Sequence, residues 1–192
     1  WMSILESSYI AFHLIPFYTN ARKQVVKTPK LYFYDTGLLC HLLGIRTVEA
    51  LVAHPKFGDI FENLIIAETM KQHLFFYRDA SKVEVDLLDF TDPNNRMLIE
   101  IKSGQTYHDR FARHLTLIGN VLGIPCEQQY VTSRVEHSYV SQGIRVTSAL
   151  DWLEADGKEP PQNNNNTAQP ANPLMTLKTS PPTALYDLDC IH

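Results

Sequence analysis

The sequence is poor in the residues that mark several common protein classes. Its three cysteines among 192 residues, Cys40, Cys126 and Cys190, are too few and too scattered for a disulfide framework or a zinc ribbon. Their scarcity points to a reduced, cytoplasmic setting. The longest apolar stretch, residues 9–18, is broken by His13 and Pro16 and falls short of the roughly 20 residues a spanning helix needs. No membrane association is expected. The eight glycines form no Gly-x-x-x-x-Gly-Lys-Ser/Thr run, so no phosphate-cradling nucleotide loop is expected in this chain. Positive charge is also in deficit: the formal net charge is −4, which excludes a uniformly basic nucleic-acid-coating protein but leaves room for a local patch.

What is present divides unevenly. Hydrophobic residues make up 44% of the chain, enough to bury a core. Six of the eleven prolines lie after residue 159, beside the run Asn163 to Asn166. Such a segment cannot bury enough surface to offset its ordering entropy, so residues 158–192 are expected to be a disordered tail. The folding unit is then residues 1–157, and a chain opening on Trp1 reads as part of something longer. Residues 1–45 hold four basic and two acidic side chains, and residues 46–158 hold twelve and sixteen. Arg22, Lys23, Lys27 and Lys30 fall within nine positions with no acid between them. That run is either a solvated loop or strand face, or an edge that contacts nucleic-acid phosphates by displacing condensed counterions.

The first 45 residues read as the end of a helix, an apolar strand over 10–18, a polar turn, a second strand over 30–34 and a helix opened by Asp35-Thr36-Gly37. Two strands joined by a basic turn after a helix suggest the wing of a partial winged-helix segment. Further on, Asp59 precedes a helical pattern over 60–74, with Phe61, Leu64, Ile65 and Glu68 on one stripe and Glu62 beside it. Strands are expected over 74–78, 83–90 and 97–102. The second alternates, placing Val83, Val85 and Leu87 on one face and Glu84, Asp86 and Leu88 on the other. The third places Leu98, Glu100 and Lys102 together. A turn-forming segment, residues 91–95, joins them into a hairpin. If Phe90 pairs with Arg96, Asp86 lies opposite Glu100 and Glu84 opposite Lys102. Facing carboxylates need a cation between them, which Lys102 supplies in part and a hard divalent ion supplies better. A helix over 109–122, with Phe111, Leu115, Ile118 and Leu122 facing the core, and a strand over 127–132 complete the pattern. Cys40 and Cys126 read as core, and the eight histidines assemble no metal signature.

Asp86 followed after a hairpin by Glu100-Ile101-Lys102, with a glutamate-bearing helix upstream, resembles the PD-(D/E)XK nuclease superfamily. The resemblance implies an α/β fold with an αβββαβ core, a mixed sheet flanked by helices, over residues 46–157. Four segments in order, residues 1–6, 29–38, 58–63 and 84–86, resemble more narrowly the C-terminal region of an uncharacterised prokaryotic family of AAA+-type ATPases. In that region a domain of unknown function follows a winged helix. The resemblance implies Asp86 and Glu100 as metal-binding acids with the Ile101 carbonyl as a third ligand, and magnesium or manganese as the ion. It implies Lys102 as the lysine that positions water and stabilises phosphate charge, and Glu62, with Glu68 as the alternative, as the helix glutamate. Metal-dependent phosphodiester hydrolysis of nucleic acid, DNA foremost, is the expected activity. A non-catalytic DNA- or protein-binding module is the alternative, and the ATPase lobe of a full-length relative is the expected partner.

Overall fold

A computed structural model describes residues 2–18, 28–69 and 73–155. Arg22, Lys23 and Lys27 of the basic run, and the tail expected over 158–192, lie outside the described residues. The elements in chain order are α1 (Met2–Ser7), β1 (Ala11–Pro16), β2 (Lys30–Phe33), α2 (Thr36–Leu42), α3 (Val48–Ala53), α4 (Phe57–Glu68), β3 (Leu74–Arg78), β4 (Glu84–Asp89), β5 (Met97–Lys102), α5 (Arg113–Leu122), β6 (Gln129–Ser133), β7 (Tyr139–Ser141), β8 (Ile144–Ser148) and α6 (Ala149–Glu154). The short helices start on side-chain caps. Asp35, Thr47 and Ser148 each accept a hydrogen bond from the backbone N–H three residues on, serving one of the free donors of the first turn. At α4 the cap falls earlier than the sequence suggests: the helix begins at Phe57, and Asp59 sits within its first turn, paired with Lys56 at 2.8 Å.

Among the described residues, eight strands form one mixed sheet in the order β2-β1-β3-β4-β5-β6-β8-β7. The run from α4 through β3, β4, β5 and α5 to β6 follows the expected αβββαβ order. β4 is antiparallel to β3 and β5, whereas β5, β6 and β8 run parallel. Two features depart from the sequence reading. The hairpin expected as a wing is continuous with this sheet, because β1 pairs parallel to β3 through Ile15–Phe75 and Pro16–Phe76. Phe12, Leu14 and Tyr32 accordingly enter the same core as Phe61 and Phe76. Beyond residue 132, β7, β8 and α6 extend the fold; their strands are short and rich in serine and threonine, so no apolar period marks them.

One apolar cluster lies under α4 and α6, built from Phe61, Ile65, Phe76, Leu87, Ile99, Tyr130 and Trp152. The other lies under α5, built from Val85, Leu88, Leu98, Leu115, Ile118 and Val131. With both faces covered, the central strands are buried almost throughout. The expected stripe on α5 holds: Leu115 and Ile118 are buried, and Phe111 and Leu122 pack against them. Cys40 is in a small core with Ile45 and Ile60. Cys126 is exposed instead of buried, because it starts a 3₁₀ turn at the surface before β6.

Candidate active site

The acids of the hairpin are interior groups. Asp86 is 8% exposed and Glu100 7%, so neither lies on a solvated strand face. The strand pairing has the expected register, with Leu87 opposite Ile99 and Leu88 opposite Leu98. Past Leu87, a side chain takes over: the Ile101 N–H donates to the Asp86 carboxylate at 2.9 Å.

Simple alternation along β4 fails at this point. Against β3, Phe75 pairs with Leu88 and Tyr77 with Val85, so β4 carries one residue more than its neighbour between the two pairs. The extra residue is a bulge, which bends a strand and re-aims its side chains. Leu87 is thereby moved into the core under α4, and Leu88 is moved beside Val85 in the core under α5. Asp86 lies within the bulge, at the margin of both cores, and its two oxygens serve two different lysines.

One group is centred on Lys102. Its ammonium lies 2.6 Å from Glu100 Oε1 and 3.4 Å from Asp86 Oδ2, and it donates to the Ile101 carbonyl at 3.1 Å. Lys102 therefore pairs with Glu100 on its own strand and with Asp86 across from it; the pairing with Glu84 suggested by register is not made. Burial and the neighbouring Asp86 charge push the Glu100 carboxyl up to about 8, against the opposing pull of Lys102. Lys102 is held above its ordinary value: burial alone would lower it, and Asp86 and Glu100 outweigh that. The second oxygen of Glu100, Oε2, is buried with no hydrogen-bond partner.

The other group is centred on Lys30. Its ammonium lies 2.7 Å from Glu84 Oε1, 3.0 Å from Glu62 Oε1 and 3.9 Å from Asp86 Oδ1, over the ring of Phe76. The Tyr32 hydroxyl donates to the same Glu62 oxygen at 2.5 Å, and Arg78 grips Glu84 Oε2 through two nitrogens at 2.6 and 2.7 Å. Burial alone would depress the Lys30 ammonium, yet Glu62, Asp86 and Glu84 hold it above its usual range. Glu84 is held below the usual carboxylate range, since Lys30 and Arg78 outweigh the effect of burial. Burial and Glu62 together push the Tyr32 phenol up. A cavity of about 540 Å³ opens beside this group, with Tyr32, Ile60, Glu62, Arg78 and Glu84 in its wall.

The structure brings together Glu62, Asp86, Glu100, Ile101 and Lys102, and it adds Lys30 to them. Lys30 is only 19% exposed and held by carboxylates, so the nucleic-acid-contacting edge expected for it is replaced by a place inside the site. Glu68 ends α4 on the surface, away from these groups. The sequence reading missed Tyr32 and Glu84 as members of the site, and also Asn63; Arg78, at the end of β3, joins the site through Glu84. Asn63 is the brace: its side chain accepts from the Phe33 N–H at 2.8 Å and donates to the Phe33 carbonyl and the Thr36 hydroxyl. This clamp fixes α4 against β2 and brings Glu62 to Lys30 and Tyr32. The adjacency of Asn63 to Glu62 was the available signal.

Among the described residues, no three His, Cys, Asp or Glu side chains gather in a metal-holding arrangement. The hard oxygen donors that meet at Lys102 are the Asp86 and Glu100 carboxylates and the Ile101 carbonyl. Two carboxylates and a carbonyl suit magnesium or manganese, which keep waters for their remaining positions. The unpartnered Glu100 Oε2 supplies an acceptor for such an ion.

The fold and site define an α/β domain with a buried acid-lysine centre at a strand bulge. Residues 57–152 match the model of the family described as a domain of unknown function (DUF4143). With half of its length inside that match, the chain belongs to this family. Residues 1–49 match a second model, also described as a domain of unknown function (DUF8612). Two uncharacterised proteins, one from Mycobacterium bovis and one from Mycobacterium tuberculosis, are each 31% identical over 91 residues. Those matches cover 45% of this chain and 21% of each relative, so the chain spans about a fifth of the curated relatives it matches. No solved structure matches the chain. No helix among the described residues is long and apolar enough to cross a membrane.

Proposed function

We propose that the DUF4143 region of this chain is a nuclease-like module that hydrolyses phosphodiester bonds of nucleic acid with a divalent ion, in the cytoplasm. The observation that carries this reading is the meeting of Asp86, Glu100 and Lys102 where the β4–β5 pairing ends, beside the bulge of β4 against β3, with one Glu100 oxygen buried and unpartnered. Asp86, Glu100 and the Ile101 carbonyl would hold magnesium or manganese, which when bound supplies an activated water and neutralises charge on the phosphate. Lys102 stands between both acids and is held protonated by them, so it presents a cation to a phosphate oxygen. Glu62 is held by Tyr32 and Lys30 and acts by fixing that side of the site. The resemblance to the C-terminal region of AAA+-type ATPases makes an ATPase lobe the proposed partner of this module.

A second reading is a non-catalytic binding or regulatory module of the same ATPase. It is favoured by one fact: the four carboxylates already face the three cations Lys30, Arg78 and Lys102 of the chain itself. Cleavage assays on single- and double-stranded DNA and on RNA, with magnesium or manganese, separate the two. Cutting by the wild type that falls at least about 100-fold in both Glu100→Ala and Lys102→Ala is the expected result. Cutting by both variants at the wild-type level would reject the catalytic reading.

A further inference from the structure

Lys30 has the contacts of a bound cation. Its ammonium is drawn to three carboxylates from two elements, Glu62 on α4 and Glu84 and Asp86 on β4, and rests over the Phe76 ring. It comes from β2, in the segment that matches a different family model from the one covering those acids. Asp86 is the shared member: one oxygen faces Lys30, and the other faces Lys102 and the Ile101 N–H. Whatever binds the Lys102 side of Asp86 therefore competes with a charge that the chain itself places on the other side.

We propose that Lys30 is a positioning residue of this site: a tethered counter-cation that holds Glu62, Glu84 and Asp86 in place and competes with a divalent ion for Asp86. The inference rests on the reading of Asp86 and Glu100 as metal ligands. A fixed positive charge one carboxylate away from a doubly charged ion weakens its binding by direct repulsion and by drawing on the shared carboxylate. Removing that charge while keeping the stem of the side chain must then tighten divalent binding, although it also removes a hydrogen-bonded partner of Glu62 and Glu84. A residue needed only for packing or folding would give the opposite sign, or none. The reciprocal effect follows from linkage: ion binding must loosen the hold of Lys30 on the site and with it the docking of β2.

The test is calorimetric titration of manganese into the full chain as wild type, Lys30→Met, Lys30→Gln, Lys30→Arg and Lys56→Met, with thermal melts of each with and without the ion. Lys56 is a control, since its ion pair is with exposed Asp59. Tighter manganese binding in Lys30→Met and Lys30→Gln by about 5- to 50-fold, with wild-type affinity in Lys30→Arg and Lys56→Met, is the expected result. Should the uncharged variants be less stable, their melting temperatures must rise more on adding manganese than that of the wild type. Equal or weaker binding by the uncharged variants, beside a wild type that binds, overturns the role of Lys30 alone. No binding by any protein at millimolar manganese overturns the metal reading and this inference together.

Discussion

Glu100 is the residue at which chemistry and stability meet. Its carboxyl is pushed up to about 8 from an ordinary 4.5 by burial and Asp86, so the folded state prefers it protonated. A raised carboxyl contributes stability that is complete below 4.5 and is lost as pH rises through the folded value. The loss amounts to on the order of 5 kcal/mol at most. Glu100→Gln keeps the shape of the group without its charge. In EDTA, its melting temperature relative to wild type should therefore climb by several degrees between pH 5 and pH 8; a difference independent of pH would show that Glu100 is not held protonated. At this scale the sequence was legible where a charge has its partner on a neighbouring strand, as with Asp86, Glu100 and Lys102. It was illegible for Lys30, whose partners Glu62 and Glu84 lie far along the chain and are brought in by the Asn63 clamp. Local charge counting assigned Lys30 to the basic run instead.

Among the elements, the bulge in β4 and the seat of α5 do the positioning. A one-residue insertion cannot be read from an alternating pattern when both faces of the strand are buried, because apolar residues are acceptable on either side; Leu87 and Leu88 exchanged their expected faces for this reason. The seat of α5 is tighter than its amphipathic stripe reveals. A Cβ at Gly119 would lie 2.1 Å from the Gln129 side-chain amide and 2.9 Å from the Ile124 carbonyl, two groups already joined by a 3.0 Å hydrogen bond. Gly119→Ala should cost about 1–3 kcal/mol, lowering the melting temperature by roughly 3–10 °C, despite alanine's better helix propensity. An unchanged or raised melting temperature would show that helix and strand have room to separate there.

Over the whole molecule, the αβββαβ order and the flanking helices were legible from periodicity and turn chemistry. The way the first 45 residues join the rest was not, since the pairing of β1 with β3 spans about 60 positions and involves only two residue pairs. That junction makes a prediction of its own. Phe12, Leu14 and Tyr32 lie in one core with Phe61, Phe76 and Trp152, so the full chain should unfold in a single transition in urea, with amides of β1 and β6 exchanging at a common free energy. Separate transitions would mean that the hairpin is an independent unit. Trp152 offers a way to watch both events. Its indole N–H donates to the Thr69 hydroxyl just past the end of α4, and its ring meets Tyr130 edge-on beneath the sheet. The chain's other tryptophan is Trp1, so a Trp1→Phe protein would carry one buried fluorophore hydrogen-bonded at the end of the helix that bears Glu62. The core thus contains its own optical gauge, able to register any shift of α4 without a label.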